Sequence, residues 1–184
     1  MVNAKSSICV YCGARSGDDP AFVEAARELG DAIGQQGWRL VFGAGDIGIM
    51  GEVANSCIAS GAPTLGVIPQ HLVDWEVAKQ DVDQLIVTET MHERKKVMFM
   101  NADAVVVMPG GAGSLDEFFE VLTWAQLKLH AKPIVVVNIA GYWDPLVALV
   151  RNVVDRGFAD ASLLDLFTVV QTVPEAIAAL AASQ

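Results

Sequence analysis

Residues 104–108 read Ala-Val-Val-Val-Met, and the run at 133–138 has Ile-Val-Val-Val at its centre. Neither 104–108 nor 134–137 has a polar side chain to turn toward water. Strands of that kind are buried on both faces, as in a parallel sheet covered by helices on each side. The rest of the chain follows suit. Strand-like runs at 8–11, 38–42, 64–68, 84–88 and 167–172 alternate with helical periodicity at 20–36, 48–60, 91–101, 113–130, 142–156 and 174–182. The expected architecture is α/β: a Rossmann-like, doubly wound parallel sheet with helices on both faces. At 184 residues this is one domain spanning residues 1–184. No internal repeat or low-complexity linker interrupts it, and the loosest segment is 70–84.

Composition removes several functional classes. Hydrophobic residues make up 53% of the chain and charged residues 18%, which excludes a disordered chain. The net charge of −10 is a poor start for binding a polyanion, so no nucleic-acid partner is expected. No uninterrupted apolar run approaches the ~20 residues of a membrane span, so no membrane partner is expected either. The apolar excess belongs in a core and at a subunit interface. Residues 1–5 lead straight into the first strand without the pattern of a secretory leader. The three cysteines are odd in number and widely placed. Both features favour a cytoplasmic setting.

Ligands of open α/β sheets sit beyond the carboxyl ends of the strands. That singles out the loops after Tyr11, Phe42, Ile68 and Met108. Two of them are rich in glycine. Gly43-Ala44-Gly45-Asp46-Ile47-Gly48 matches G-x-G-x-x-G between a strand and a helix. A dinucleotide site also needs an acid at the end of the next strand, where this chain has Gly66-Val67-Ile68-Pro69. The loop therefore reads as a tight turn allowing close backbone approach, with a phosphate or base as its possible guest. The second loop, Pro109-Gly110-Gly111-Ala112-Gly113-Ser114-Leu115-Asp116-Glu117, leaves an apolar strand and opens a helix, where converging N–H groups favour an anion. Ser114 and Glu117 also have capping-box spacing. Asp116, Glu117 and Glu120 would repel a phosphate unless cations answer them. Arg94, Lys95 and Lys96, at the start of the preceding helix, are three of only 12 basic residues.

Other constellations read as structural. Cys9 and Cys12 form C-x-x-C at a strand end rather than at a helix start, and no second pair completes a zinc site. Cys57 sits among apolar neighbours. His71, His92 and His130 lack metal-ligand spacing, so no metal is expected. Trp124 and the cluster of Phe118, Phe119, Val121 and Leu122 suit core or dimer packing.

Met91-His92-Glu93-Arg94-Lys95 followed by the 109–117 loop resembles the paired signature of the LONELY GUY (LOG) family, whose loop is usually written PGGxGTxxE. Members are cytokinin riboside 5′-monophosphate phosphoribohydrolases, often mislabelled lysine decarboxylases. The likeness extends through Cys12-Gly13, residues 43–51, Gly66-Val67-Ile68-Pro69, Thr123-Trp124-Ala125-Gln126-Leu127, Lys132-Pro133 and Gly141-Tyr142. The chain departs from it in three places. Ser114 replaces the usual Thr, Ala44 interrupts a run of glycines, and Ala14-Arg15 replaces small hydroxyl residues and adds a cation.

The resemblance implies hydrolysis of the N-glycosidic bond of an N6-modified adenosine 5′-monophosphate, giving free base and ribose 5-phosphate. It implies Glu117 and Arg94 as the catalytic pair. Gly110, Gly111, Gly113 and Ser114 would cradle the phosphate, with Pro109, Met91, Gly43 and Gly45 around the ligand and Lys95 as a second cation. Glu76 would face the base. It further implies a homodimer and no metal or organic cofactor. Two other readings stay open: a broad purine and pyrimidine nucleotide phosphoribohydrolase, and a non-catalytic nucleotide or molybdenum-cofactor carrier.

Overall fold

Period-two alternation within each strand decides which helix covers which face. Ile8, Val10, Leu40, Phe42, Val106 and Val135 point to one side of the sheet, and Cys9, Tyr11, Val41, Val105, Val107 and Val136 to the other. Every one of these positions is almost wholly buried. Two apolar layers result, which is why the central strands tolerate no polar residue.

The computed structural model describes residues 4–73 and 78–182. Its seven strands are β1 (Ser7–Tyr11), β2 (Arg39–Phe42), β3 (Thr64–Pro69), β4 (Gln84–Thr88), β5 (Ala104–Val107), β6 (Ile134–Val137) and β7 (Thr168–Val170). They form one sheet in the order β4-β3-β2-β1-β5-β6-β7, and every pairing is parallel. The helices are α1 (Pro20–Gln36), α2 (Gly48–Ala59), the short α3 (Gln70–Val73), α4 (Met91–Met100), α5 (Ala112–Gln126), α6 (Asp144–Asp155) and α7 (Val173–Ala182). Residues of α1, α2 and α7 cover one face, and residues of α4, α5 and α6 the other. The expected α/β architecture is the observed one. Glu76, expected to face the base, lies outside the described residues.

Local chemistry explains the element ends. Asp19 starts α1 by accepting from the Ala21 amide at 2.9 Å, Pro20 opens its first turn, and Gly37 ends it at a φ of 71°. Two expected helices are shorter than their periodicity suggested. Residues 113–130 were expected to be helical throughout, but α5 stops at Gln126. Lys128 turns left-handed there, with a φ of 60°, and the Leu129 amide bonds back to the Trp124 carbonyl. The expected 142–156 helix begins only at Asp144. Before it comes a single tight turn, Ile139–Gly141, with Ala140 at φ 52° and Gly141 at φ 73°. Asn138 fastens that turn by accepting from the Trp143 amide at 2.6 Å and donating to Asp144 at 2.8 Å. Tyr142 therefore sits on an entry turn rather than on a helix face.

The strand order reverses at β1, whose neighbours β2 and β5 lead away in opposite directions. A crevice opens at the carboxyl ends of such a pair.

Candidate active site

The two glycine loops flank that crevice and differ in what their amides meet. At the start of α2, Met50 donates to the Gly13 carbonyl at 3.0 Å and Ile49 leans toward the Arg15 carbonyl at 3.5 Å. The Gly45 amide goes to the Met50 sulfur. The loop after β1 thus caps α2, and an anion has little left to bind there. The G-x-G-x-x-G match serves packing. Ala44, the departure within it, holds a φ of 60° with its side chain fully buried, a backbone state that glycine adopts more readily.

The start of α5 is different. Its N-cap is Gly111, and no side chain caps it. Ser114 is 3% exposed, and its hydroxyl has no hydrogen-bond partner. The capping box allowed by the Ser114 and Glu117 spacing does not form, because Ser114 lies inside the helix. A capping box does form one helix earlier, between Thr90 and Glu93. A helix start without a side-chain cap, beside a buried hydroxyl without a partner, leaves free donors of the kind an anion meets.

A cavity of about 460 Å³ lies over this helix start. Its wall includes Pro109, Gly110, Gly111, Gly113, Ser114, Glu117, Met91 and Arg94, so most of the expected site residues meet in one place. Asp116, the loop after β1 from Cys12 to Asp18, and Phe22, Ile49, Met50 and Tyr142 also line it. Phe22 had no functional signal in the sequence, since its helical spacing reads equally as core.

Arg94 is 5% exposed. Its Nε donates to the Val67 carbonyl at 3.0 Å and its Nη2 to the Gly43 carbonyl at 2.6 Å, while Nη1 lies toward the Met91 sulfur at 3.9 Å. Among the described residues no carboxylate pairs with it. Neutral carbonyls, one just past β2 and one within β3, therefore hold a buried cation on the cavity wall, with its charge left for whatever the cavity receives.

Glu117 faces the same cavity. Burial is the main cause that pushes its carboxyl up to about 7; Arg94 pulls it down, Asp116 pushes it up, Lys95 pulls it down and Glu120 pushes it up. Its carboxylate accepts no hydrogen bond among the described residues.

Three expected ligand contacts are not brought to the cavity wall. Gly43 and Gly45 lie behind it, and Gly43 acts through Arg94: a Cβ at position 43 would fall on the guanidinium. Lys95, buried, joins Asp116 at 2.9 Å and Glu120 at 3.1 Å. It ties α4 to α5 directly beside the Arg94 and Glu117 positions. The three histidines form no metal cluster with other residues among those described. Cys9 and Cys12 are buried thiols, both held protonated well above the ordinary thiol range by burial first and then by Glu117.

Sheet and cavity together define a Rossmann-like α/β protein with a cavity at the switch point of its sheet. Residues 50–180 match the family described as "Possible lysine decarboxylase". The chain is 43% identical over 177 residues to the cytokinin riboside 5′-monophosphate phosphoribohydrolase of Mycobacterium tuberculosis, covering 96% of this chain and 94% of that one. It is 40% identical to the enzyme of the same name, LOG7, of Arabidopsis thaliana, over 82% of this chain and 70% of that one. Among solved structures, the molybdenum cofactor carrier protein of Chlamydomonas reinhardtii superposes with a TM-score of 0.74 at 25% identity, covering 97% of each chain. The chain belongs to the LOG-type family. No helix among the described residues is long and apolar enough to cross a membrane.

Proposed function

We propose that this protein hydrolyses the N-glycosidic bond of N6-modified adenosine 5′-monophosphates, releasing the free base and ribose 5-phosphate. The observation that carries the reading is that Arg94, a buried guanidinium without a carboxylate partner among the described residues, shares one cavity with Glu117 and the α5 helix start. The names of the relatives support the same activity.

In this reading the phosphate sits against Gly110, Gly111, Gly113 and the Ser114 hydroxyl, with Arg94 close by. That places the ribose near Glu117. The bond from C1′ to the base nitrogen breaks, and its electron pair leaves with the base. The oxocarbenium character left on the sugar is stabilised by the Glu117 carboxylate. Water adds at C1′ and gives its proton to Glu117, which passes it on to the departing base. Arg94 favours the ionised form of Glu117. A PLP-type lysine decarboxylase needs a lysine at its site, and among the described residues no lysine lines the cavity. The whole of residues 1–184 forms one catalytic domain in this account.

The same reading includes a homodimer. The edge strand β4 exposes Leu85, Ile86 and Val87, and α4 exposes Met91 and Met100, an apolar surface suited to a second copy. A cytoplasmic setting belongs to it too, since Cys9, Cys12 and Cys57 are all free thiols.

Incubation with AMP, CMP, GMP and isopentenyl-AMP, followed by chromatography of free base, tests the proposal. Release from isopentenyl-AMP in preference to the others is expected. Equal release from all four would indicate a broad nucleotide phosphoribohydrolase, and none would indicate a carrier.

A further inference from the structure

The Pro109-Gly110-Gly111 turn is held by two donors from elsewhere in the chain. Gly13 donates its amide to the Pro109 carbonyl at 3.0 Å. Tyr142 donates its hydroxyl to the Gly110 carbonyl at 2.5 Å, across 32 residues of sequence. A trans peptide is planar, with its N–H directed opposite to its C=O. Fixing the Pro109 oxygen therefore fixes the Gly110 amide, and fixing the Gly110 oxygen fixes the Gly111 amide. Both carbonyls, which would repel an anion, are turned onto protein donors.

Tyr142 is itself braced. Its ring meets Phe22 edge-on at 5.4 Å and Trp143 at 4.7 Å. The turn before it carries two left-handed residues, Ala140 and Gly141, and is fastened through Asn138. A hydroxyl held this firmly can set a peptide plane, and position 110 suits the role. A Cβ there would meet the Ser114 hydroxyl and the Gly13 amide, so only glycine lets the turn lie this close to both.

We propose that Tyr142 is the positioning residue that presets the phosphate-binding Gly111 amide by fixing the Gly110-Gly111 peptide plane. The proposal rests on the phosphate site described above, and it assigns Tyr142 a role in recognising the phosphoryl end of the ligand. Without the hydroxyl the Gly110 carbonyl loses its donor, the peptide gains freedom to rotate, and the cost of ordering it falls on ligand binding.

Tyr142→Phe keeps the ring and removes only the hydroxyl. The dissociation constant of ribose 5-phosphate, measured by calorimetry, is expected to rise about fivefold, the scale of one hydrogen bond. The KM for isopentenyl-AMP should rise by a similar factor while kcat changes less than KM. A purely structural role would lower the melting temperature without moving that ratio. An unchanged dissociation constant overturns the inference, even if the wild type releases base as proposed. If the wild type binds ribose 5-phosphate in a Tyr142-dependent way but releases no base, the inference stands and the hydrolase reading fails. A wild type that binds no ribose 5-phosphate overturns the inference, whatever the base-release assay shows.

Discussion

Arg94 reaches the cavity because Gly43 has no side chain. The guanidinium Nη2 donates to the Gly43 carbonyl at 2.6 Å, and a Cβ on residue 43 would occupy the space that nitrogen fills. The first glycine loop thus contributes to the site by admitting a side chain from α4.

Gly43→Ala should therefore displace Arg94 rather than any ligand contact. Overpacking of this kind costs about 1–3 kcal/mol of stability. The loss of base release should be larger than that destabilisation implies, on the order of a hundredfold in kcat/KM, the scale of losing one catalytic group. Urea denaturation and turnover of isopentenyl-AMP, measured on the same preparation, separate the two effects.

Arg94→Ala should lose activity and stability together. It leaves the Val67 and Gly43 carbonyls without their donor, at a cost of roughly 1–3 kcal/mol for each buried unsatisfied group. Base release should fall at least a hundredfold, with kcat itself reduced. A variant altered only in KM would show that Arg94 binds substrate without acting in the transition state.

The acid limb of kcat/KM should report Glu117, with activity rising through about pH 7 as the carboxyl ionises. Lys95 pulls that carboxyl down while Asp116 and Glu120 push it up. Lys95→Met removes the cation and leaves both acids beside Glu117, so the limb should move to higher pH. The shift also bears on stability. Held at about 7 when folded and near 4.3 when unfolded, Glu117 keeps a proton in the folded state that the unfolded chain gives up. Stability should fall as pH rises between those values, and Glu117→Gln should abolish that contribution. Melting curves from pH 4.5 to pH 7.5 check the sign.

Much of this was legible in the sequence, for physical reasons. Runs such as Val105–Val107 in β5 can only be strands buried on both faces, so the parallel sheet followed from them. The Pro109 to Glu117 loop showed its glycines and its helix start directly. Contacts made through space were less visible. Lys95 looked like a cation for phosphate because its spacing from Arg94 gives no hint that its side chain meets Asp116 and Glu120 on α5. That the start of α2 is occupied was not visible, because its capping comes from carbonyls of the loop after β1. Tyr142 reads in the sequence as the first residue of a helix that begins only at Asp144, after the left-handed turn at Ala140 and Gly141.

The central claim is that the Glu117 carboxylate carries the cleavage. Glu117→Gln keeps the size of the side chain and removes its charge and its proton chemistry. The most direct measurement is free base released from isopentenyl-AMP by the wild type and by this variant at pH 8, with the fold verified by circular dichroism. The account predicts a folded variant whose release is reduced by about a thousandfold or more, within the range for loss of an acid–base group. A folded variant with wild-type release would contradict it.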